Sequence, residues 1–89
     1  MNIAKYKIGD CEFSIKLPIP FKILKSVMPL LTKEEPDALS AGEMLINACA
    51  VENEVLKSIK ADGSLMAGAC FKVIELIEFK EAERIVKKK

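Results

Sequence analysis

The chain has 89 residues, 51% of them apolar, with 14 basic and 13 acidic side chains and a net charge of +1. That length makes a single domain, 1–89, because two halves would each be too small to bury a core unaided, and the balanced charge argues against a polyanion held by bulk electrostatics. Histidine is absent, and Cys11, Cys49 and Cys70 are odd in number and widely spaced, which excludes a disulfide framework and a paired metal motif and reads as small core hydrophobes in a reducing compartment.

The first element is a hairpin over 3–17. Ala4, Tyr6 and Ile8 alternate with Lys5 and Lys7, and Cys11, Phe13, Ile15 and Leu17 alternate with Glu12, Ser14 and Lys16. Gly9-Asp10 between the runs is the Gly-X sequence of a two-residue type II′ turn. A two-residue turn pairs Ile8 with Cys11, Tyr6 with Phe13 and Ala4 with Ile15, and all of these share one face. Turn chemistry and hydrophobic register therefore agree. On the other face Lys7 meets Glu12, an expected cross-strand ion pair. A lone hairpin is marginal in water, so helices must cover its apolar face.

Pro18 and Pro20 end the second strand, since proline cannot donate to a ladder. The helical part spans 20–87. Phe21, Leu24, Val27, Met28 and Leu31 recur at helical spacing, with Lys22, Lys25 and Ser26 opposite. Pro29 should kink this helix or stop it near Met28, and Thr32 to Leu39 reads as a loop. Ser40 and Glu43 make an S-x-x-E capping box that starts the next helix. Met44, Leu45, Ala48, Cys49, Val51, Val55, Leu56 and Ile59 follow at spacings of three and four. One helix to about Lys60 fits this pattern, and so do two shorter helices broken around Glu52-Asn53. Asp62-Gly63-Ser64 then supplies a glycine for a left-handed C-cap and a serine for the next N-cap.

A long last helix is expected from Leu65 nearly to the end. Its first stripe is Met66, Ala69, Cys70, Val73 and Ile77, flanked by Leu76 and Ile74. Beyond Ile77 the stripe positions turn polar, and apolar residues return at Phe79, Ala82, Ile85 and Val86. At about 100° per residue these lie opposite the first stripe, on the side that carries Phe71. Two apolar faces imply two packing partners. Phe71, Phe79, Ala82, Ile85 and Val86 are the candidate partner-binding residues.

The chain offers no assembled catalytic or metal site, and no cofactor motif. Nucleophilic catalysis by Ser or Cys ordinarily needs a histidine base. Gly9, Gly42, Gly63 and Gly68 form neither a phosphate loop nor a dinucleotide fingerprint. The carboxylates at Glu34, Glu35 and Asp37, and at Glu52 and Glu54, read as solvated surface. Lys5, Lys7, Lys16, Lys22, Lys25 and the Lys87–Lys89 tail raise nucleic acid as a partner. With Tyr6 and Phe13 on the apolar face, the stacking platform of a single-strand binder is missing. The longest apolar stretch, Met44 to Val51, is eight residues, against about 20 for a membrane span, and the N-terminus carries no secretory signal pattern. A non-enzymatic protein inside the cell is expected.

The layout resembles a known family. A short hairpin (KYKIGDCEFSIKLP), a helix, a Pro-Asp loop, ALSAGEMLINACAV and DGSLMAGACFKVIELIEFKEAERI follow in the order seen in the small tail assembly chaperones of long-tailed bacteriophages and prophages. The resemblance implies a non-catalytic protein of the bacterial host cytoplasm. It implies binding to the helical tape-measure protein, recruitment of tail-tube subunits and absence from the finished virion. Members of that family are often extended by a translational frameshift near the C-terminus. The expectation is thus an α+β protein, a two-stranded antiparallel hairpin on three to four helices, binding a helical client or a second copy of itself. A structural subunit of a phage or other oligomeric particle is the alternative, and a small nucleic-acid-binding regulator a further one.

Overall fold

A computed structural model of the chain describes residues 2–77. Strands β1 (Asn2–Ile8) and β2 (Cys11–Leu17) are followed by helices α1 (Phe21–Leu31), α2 (Ala38–Cys49), α3 (Glu54–Ala61) and α4 (Gly63–Val73), and a 3-10 turn, Ile74–Leu76, extends α4. This is the α+β arrangement expected: an antiparallel hairpin and four helices.

The hairpin has the predicted register. Ile8 pairs with Cys11, Tyr6 with Phe13 and Ala4 with Ile15. Gly9 takes a φ of 58° while Asp10 stays at negative φ, the pattern a II′ turn requires and a glycine supplies without strain. Phe13 and Ile15 are fully buried, and the Tyr6 and Phe13 rings stack with centroids 5.5 Å apart. Burying a side chain such as Phe13 contributes about 1.5–3 kcal/mol. Lys7 and Glu12 stand opposite one another, but the ion pair expected there does not form; the described ion pairs are Lys57–Glu54, Lys60–Glu52 and Lys72–Glu75.

α1 departs from expectation in two ways. Of the two outcomes expected at Pro29, the stop near Met28 does not occur: Pro29 lies inside α1 and the helix continues to Leu31. Both Pro29 and Lys25 are exposed, so the Lys25 carbonyl that proline leaves unbonded faces water instead of an apolar wall. The helix ends where its last carbonyls find other donors: Thr32 N–H and Oγ1 both donate to Met28 O, and Asp37 N–H donates to Leu30 O. The buried face is also rotated from the expected stripe. Val27 is fully buried and Ile23, Leu30 and Leu31 pack on the core, whereas Phe21 is 77% exposed.

α2 begins at Ala38, earlier than the Ser40 capping box implied. Asp37 is the N-cap, and its Oδ1 accepts from Ser40 N–H at 3.0 Å. An aspartate oxygen reaches the N3 amide as a serine would, so the box residue Ser40 becomes part of the first turn. Its core face is Ala41, Gly42, Leu45, Ile46 and Cys49; Met44 and Ala48 face outward. Of the two readings left open around Glu52-Asn53, the break is correct. Ala50 is extended and bridges Ile15, Val51 N–H donates to Ser14 O, and Asn53 caps α3 through Leu56 N–H at 2.8 Å.

The α3–α4 junction is capped differently from the expectation too. Gly63 is the first residue of α4 and is not left-handed; Asp62 ends α3 and caps α4, accepting from Ser64 and Leu65 N–H. One aspartate therefore replaces the glycine C-cap and the serine N-cap. The long terminal helix is also corrected. Regular α-helix stops at Val73, one 3-10 turn follows, and Ile77 is extended with ψ of 110°. Ile74, Leu76 and Ile77 all pack against the core. A 3-10 turn brings residues three apart into line, which places Ile74 and Ile77 together on the core side.

Packing places α2 at the centre. α4 lies along one flank of α2, α1 along the other, and among the described elements α1 packs on α2 alone. α4 supports β1, while α2 and α3 support β2. The α2–α4 approach is close at Gly42, where any side chain would run into the Cys70 backbone.

Candidate protein-interaction surface

Among the expected partner-binding residues, Phe71 lies within the described part, and Phe79, Ala82, Ile85 and Val86 lie outside it. Phe71 is 59% exposed on α4, while Ala69, Cys70 and Val73 of the same helix are buried. Phe71 is thus an exposed aromatic opposite the buried face of α4, and the rest of the expected second stripe lies outside the described residues. Its neighbours one turn away are Ala67, Gly68, Ile74 and Glu75. Lys72 and Glu75 pair at 3.2 Å beside it. Glu75 also acts on Tyr6 of β1: burial first, and then the Glu75 charge, push the Tyr6 hydroxyl pKa up.

A second apolar surface went unrecognised in the sequence. Phe21 is the most exposed large apolar side chain described, and Leu24 and Met28, three and seven residues on, are only half-buried and do not join the core. Lys22 and Lys25 flank them. The apolar residues of α1 span about half its circumference, opposite Lys22, Lys25 and Ser26, so Phe21/Leu24/Met28 and Ile23/Val27/Leu30 both satisfy helical spacing. Periodicity alone does not choose between them. The signal available was Phe21 itself, next to a proline N-cap and bordering the Lys22 and Lys25 side of the helix. Phe21 is thus an exposed ring beside Lys22 and Lys25 that the apolar spacing of α1 places on its core stripe.

An open cleft of about 280 Å³ lies between α2 and the α3–α4 junction, lined by Leu39, Ser40, Glu43, Lys60, Met66 and Cys70 among others. Its thiol is poorly suited to chemistry: burial, and then the Glu43 charge, push the Cys70 pKa up. Burial does the same to Cys49. Reactive cysteines show the opposite shift. Among the described residues no group of three or more Cys, Asp or Glu is placed to hold a metal ion, and no helix is long and apolar enough to cross a membrane.

The hairpin contributes an edge. Its sheet has two strands, and β2 is closed on its outer side by the Ala50 bridge and the Val51–Ser14 bond. No described strand pairs with the outer side of β1. Its outer face carries Ile3, 51% exposed, with Lys5 and Lys7.

No protein-family model matches the chain, and neither a curated protein nor a solved structure matches it.

Proposed function

We propose that this chain is a non-catalytic protein-binding subunit that acts in assembly, in the manner of a phage tail assembly chaperone, by holding an apolar helical client. The observation that carries this is the exposure of two phenylalanines, Phe71 at 59% and Phe21 at 77%, on helices whose opposite faces are buried. Exposed aromatic side chains backed by a packed helix are the usual anchors of protein interfaces, and amphipathic helices dock on such surfaces. The hairpin-then-helices layout that resembles the tail chaperones points to the same client class, a tape-measure-like helix. The client would be released once assembled, consistent with a binding surface built of a few anchors instead of an extensive one.

Co-expression tests the reading. On this reading a tape-measure-like protein is encoded near this chain, and it should stay soluble with the wild type and precipitate with Phe71→Asp or Phe21→Asp, while both variants keep the circular dichroism of the parent. A client equally soluble, or equally insoluble, with wild type and both variants refutes it.

A further inference from the structure

We propose that the edge of β1 with which no described strand pairs is a second binding site, which takes an extended acidic peptide as a third strand of the sheet. The phase of the ladder identifies which groups face outward. Val51 N–H donates to Ser14 O at 2.9 Å, so the Ser14 main chain points away from β1. In an antiparallel pair, residues opposite each other either exchange both hydrogen bonds or both point outward, and the two kinds alternate. Ser14 pairs with Lys5, Glu12 with Lys7 and Lys16 with Ile3. The N–H and C=O groups of Ile3, Lys5 and Lys7 therefore face the open side of β1. Those of β2 are already occupied at Ser14, which leaves β1 as the receptive edge.

Side chains define the guest. Residues of an added strand opposite Lys5 and Lys7 would project on the outer face, where Lys5, Lys7 and Lys16 outnumber Glu12; carboxylates suit them, and opposite charges across strands are favourable. The alternate residues would project to the covered face, over α4. That helix meets β1 at Gly68, against Ile8, and at Leu65, against Gly9. Phe71 lies about 60° round α4 from Gly68, at 100° per residue, on the exposed side away from buried Ala69 and Val73. Its ring is 59% exposed, on the helix that lies under β1, and would be available to the guest's apolar side chains. The guest is a strand of alternating acidic and apolar residues. A second copy of this chain is a poorer occupant, because antiparallel pairing centred on Lys5 sets the Lys5 of one copy against that of the other, and like charges directly opposite are unfavourable. The lysines thus guard the edge against self-pairing while favouring an acidic strand. The site goes beyond the helical-client reading: it shares Phe71 with that surface but takes a partner of different shape.

Amide exchange read by NMR on the full chain, with a capped synthetic peptide of alternating glutamate and valine as probe, tests this site. Without peptide, the Ile3, Lys5 and Lys7 amides should exchange at least about tenfold faster than those of Ala4, Tyr6 and Ile8, which bond within the ladder. The peptide should slow the first set alone. Lys5→Pro removes an outward N–H without breaking a ladder bond and should abolish this protection. The double variant Lys5→Glu with Lys7→Glu should weaken peptide affinity by about tenfold. Edge amides already protected without peptide, by the chain's own residues or a second copy, overturn the proposal. So does the absence of protection at millimolar peptide, or protection that persists in Lys5→Pro. Client solubility should be unaffected by Lys5→Pro, so failure of one site is distinguishable from failure of the other.

Discussion

An alanine at position 42 would place its methyl carbon 2.5 Å from Cys70 Cα and 2.6 Å from the Cys70 carbonyl carbon, with the carbonyl oxygen in contact as well. Carbon atoms pack at about 3.5–4.0 Å, so α2 and α4 would have to separate by roughly 1 Å. The obstacle is backbone, which cannot swing aside as a side-chain tip can. Overpacking a close contact costs about 1–3 kcal/mol, and here the upper part of that range applies, because the separation also loosens the buried seam of Leu45, Ile46, Ala69 and Val73. Alanine returns about 1 kcal/mol through its better helix propensity. The net loss is then about 1–2 kcal/mol from a total of about 5–10. For a domain of this length that lowers Tm by roughly 4–8 °C per kcal/mol. Thermal unfolding followed by circular dichroism measures it, with Gly63→Ala as the matched control. A Cβ at Gly63 meets nothing within 4 Å, so that substitution should raise stability by about 0.4–1 kcal/mol. If Gly42→Ala melts at or above the wild-type temperature, the close α2–α4 approach is wrong.

Asn53→Ala should cost about 1 kcal/mol by removing the cap on Leu56 N–H, read as a lower urea midpoint; an unchanged midpoint would mean that the break between α2 and α3 is not held by this side chain. Hydrogen bonding from Ser40 holds the Asp37 carboxyl below the usual carboxylate range, so its contribution is present above the ordinary aspartate pKa and is lost as pH falls through the lowered value. Asp37→Asn keeps a competent cap and should flatten stability against pH in that acid window; an identical acid profile would count against the assignment. Burial pushes the Cys49 and Cys70 thiols up, so their contribution is present below the ordinary thiol pKa and is lost as pH rises through the raised values. In the folded chain a thiol reagent near neutral pH should label half-buried Cys11 first and the other two only on unfolding; equal rates at all three would contradict the packing.

Much of the fold was legible because local signals agreed. In the hairpin the Gly9-Asp10 turn and the alternation of apolar residues independently specify one register, and a slip of one residue would expose Phe13 and Ile15. Where a segment had only one signal, tertiary context chose. The apolar composition of α1 left its core face open, and contact with α2 selected Ile23, Val27 and Leu30 over Phe21. Asp37 and Asp62 took the caps assigned to Ser40, Gly63 and Ser64, because each can accept the same amides and the periodic pattern does not resolve helix ends. The long terminal helix rested on spacing alone; packing of Ile74, Leu76 and Ile77 on the core tightened it into a 3-10 turn. The exposure of Phe71 was legible from its position opposite Ala69 and Val73. The β1 edge was not, since what closes the other strand is a bridge to Ala50, distant in sequence.

The attachment of α1 to α2 alone among the described elements gives this protein an uneven grip on its own structure. Subglobal opening should begin there: α1 and the loop after it, up to Pro36, can detach while Asp37 stays as the cap of α2 and the Ile15–Ala50 bridge keeps the remainder closed. Amide exchange in α1 would then report a smaller free energy than exchange in α2. The cost of that opening is the exposure of Val27 and of the core-facing sides of Ile23, Leu30 and Leu31, less than the whole core that global unfolding would uncover.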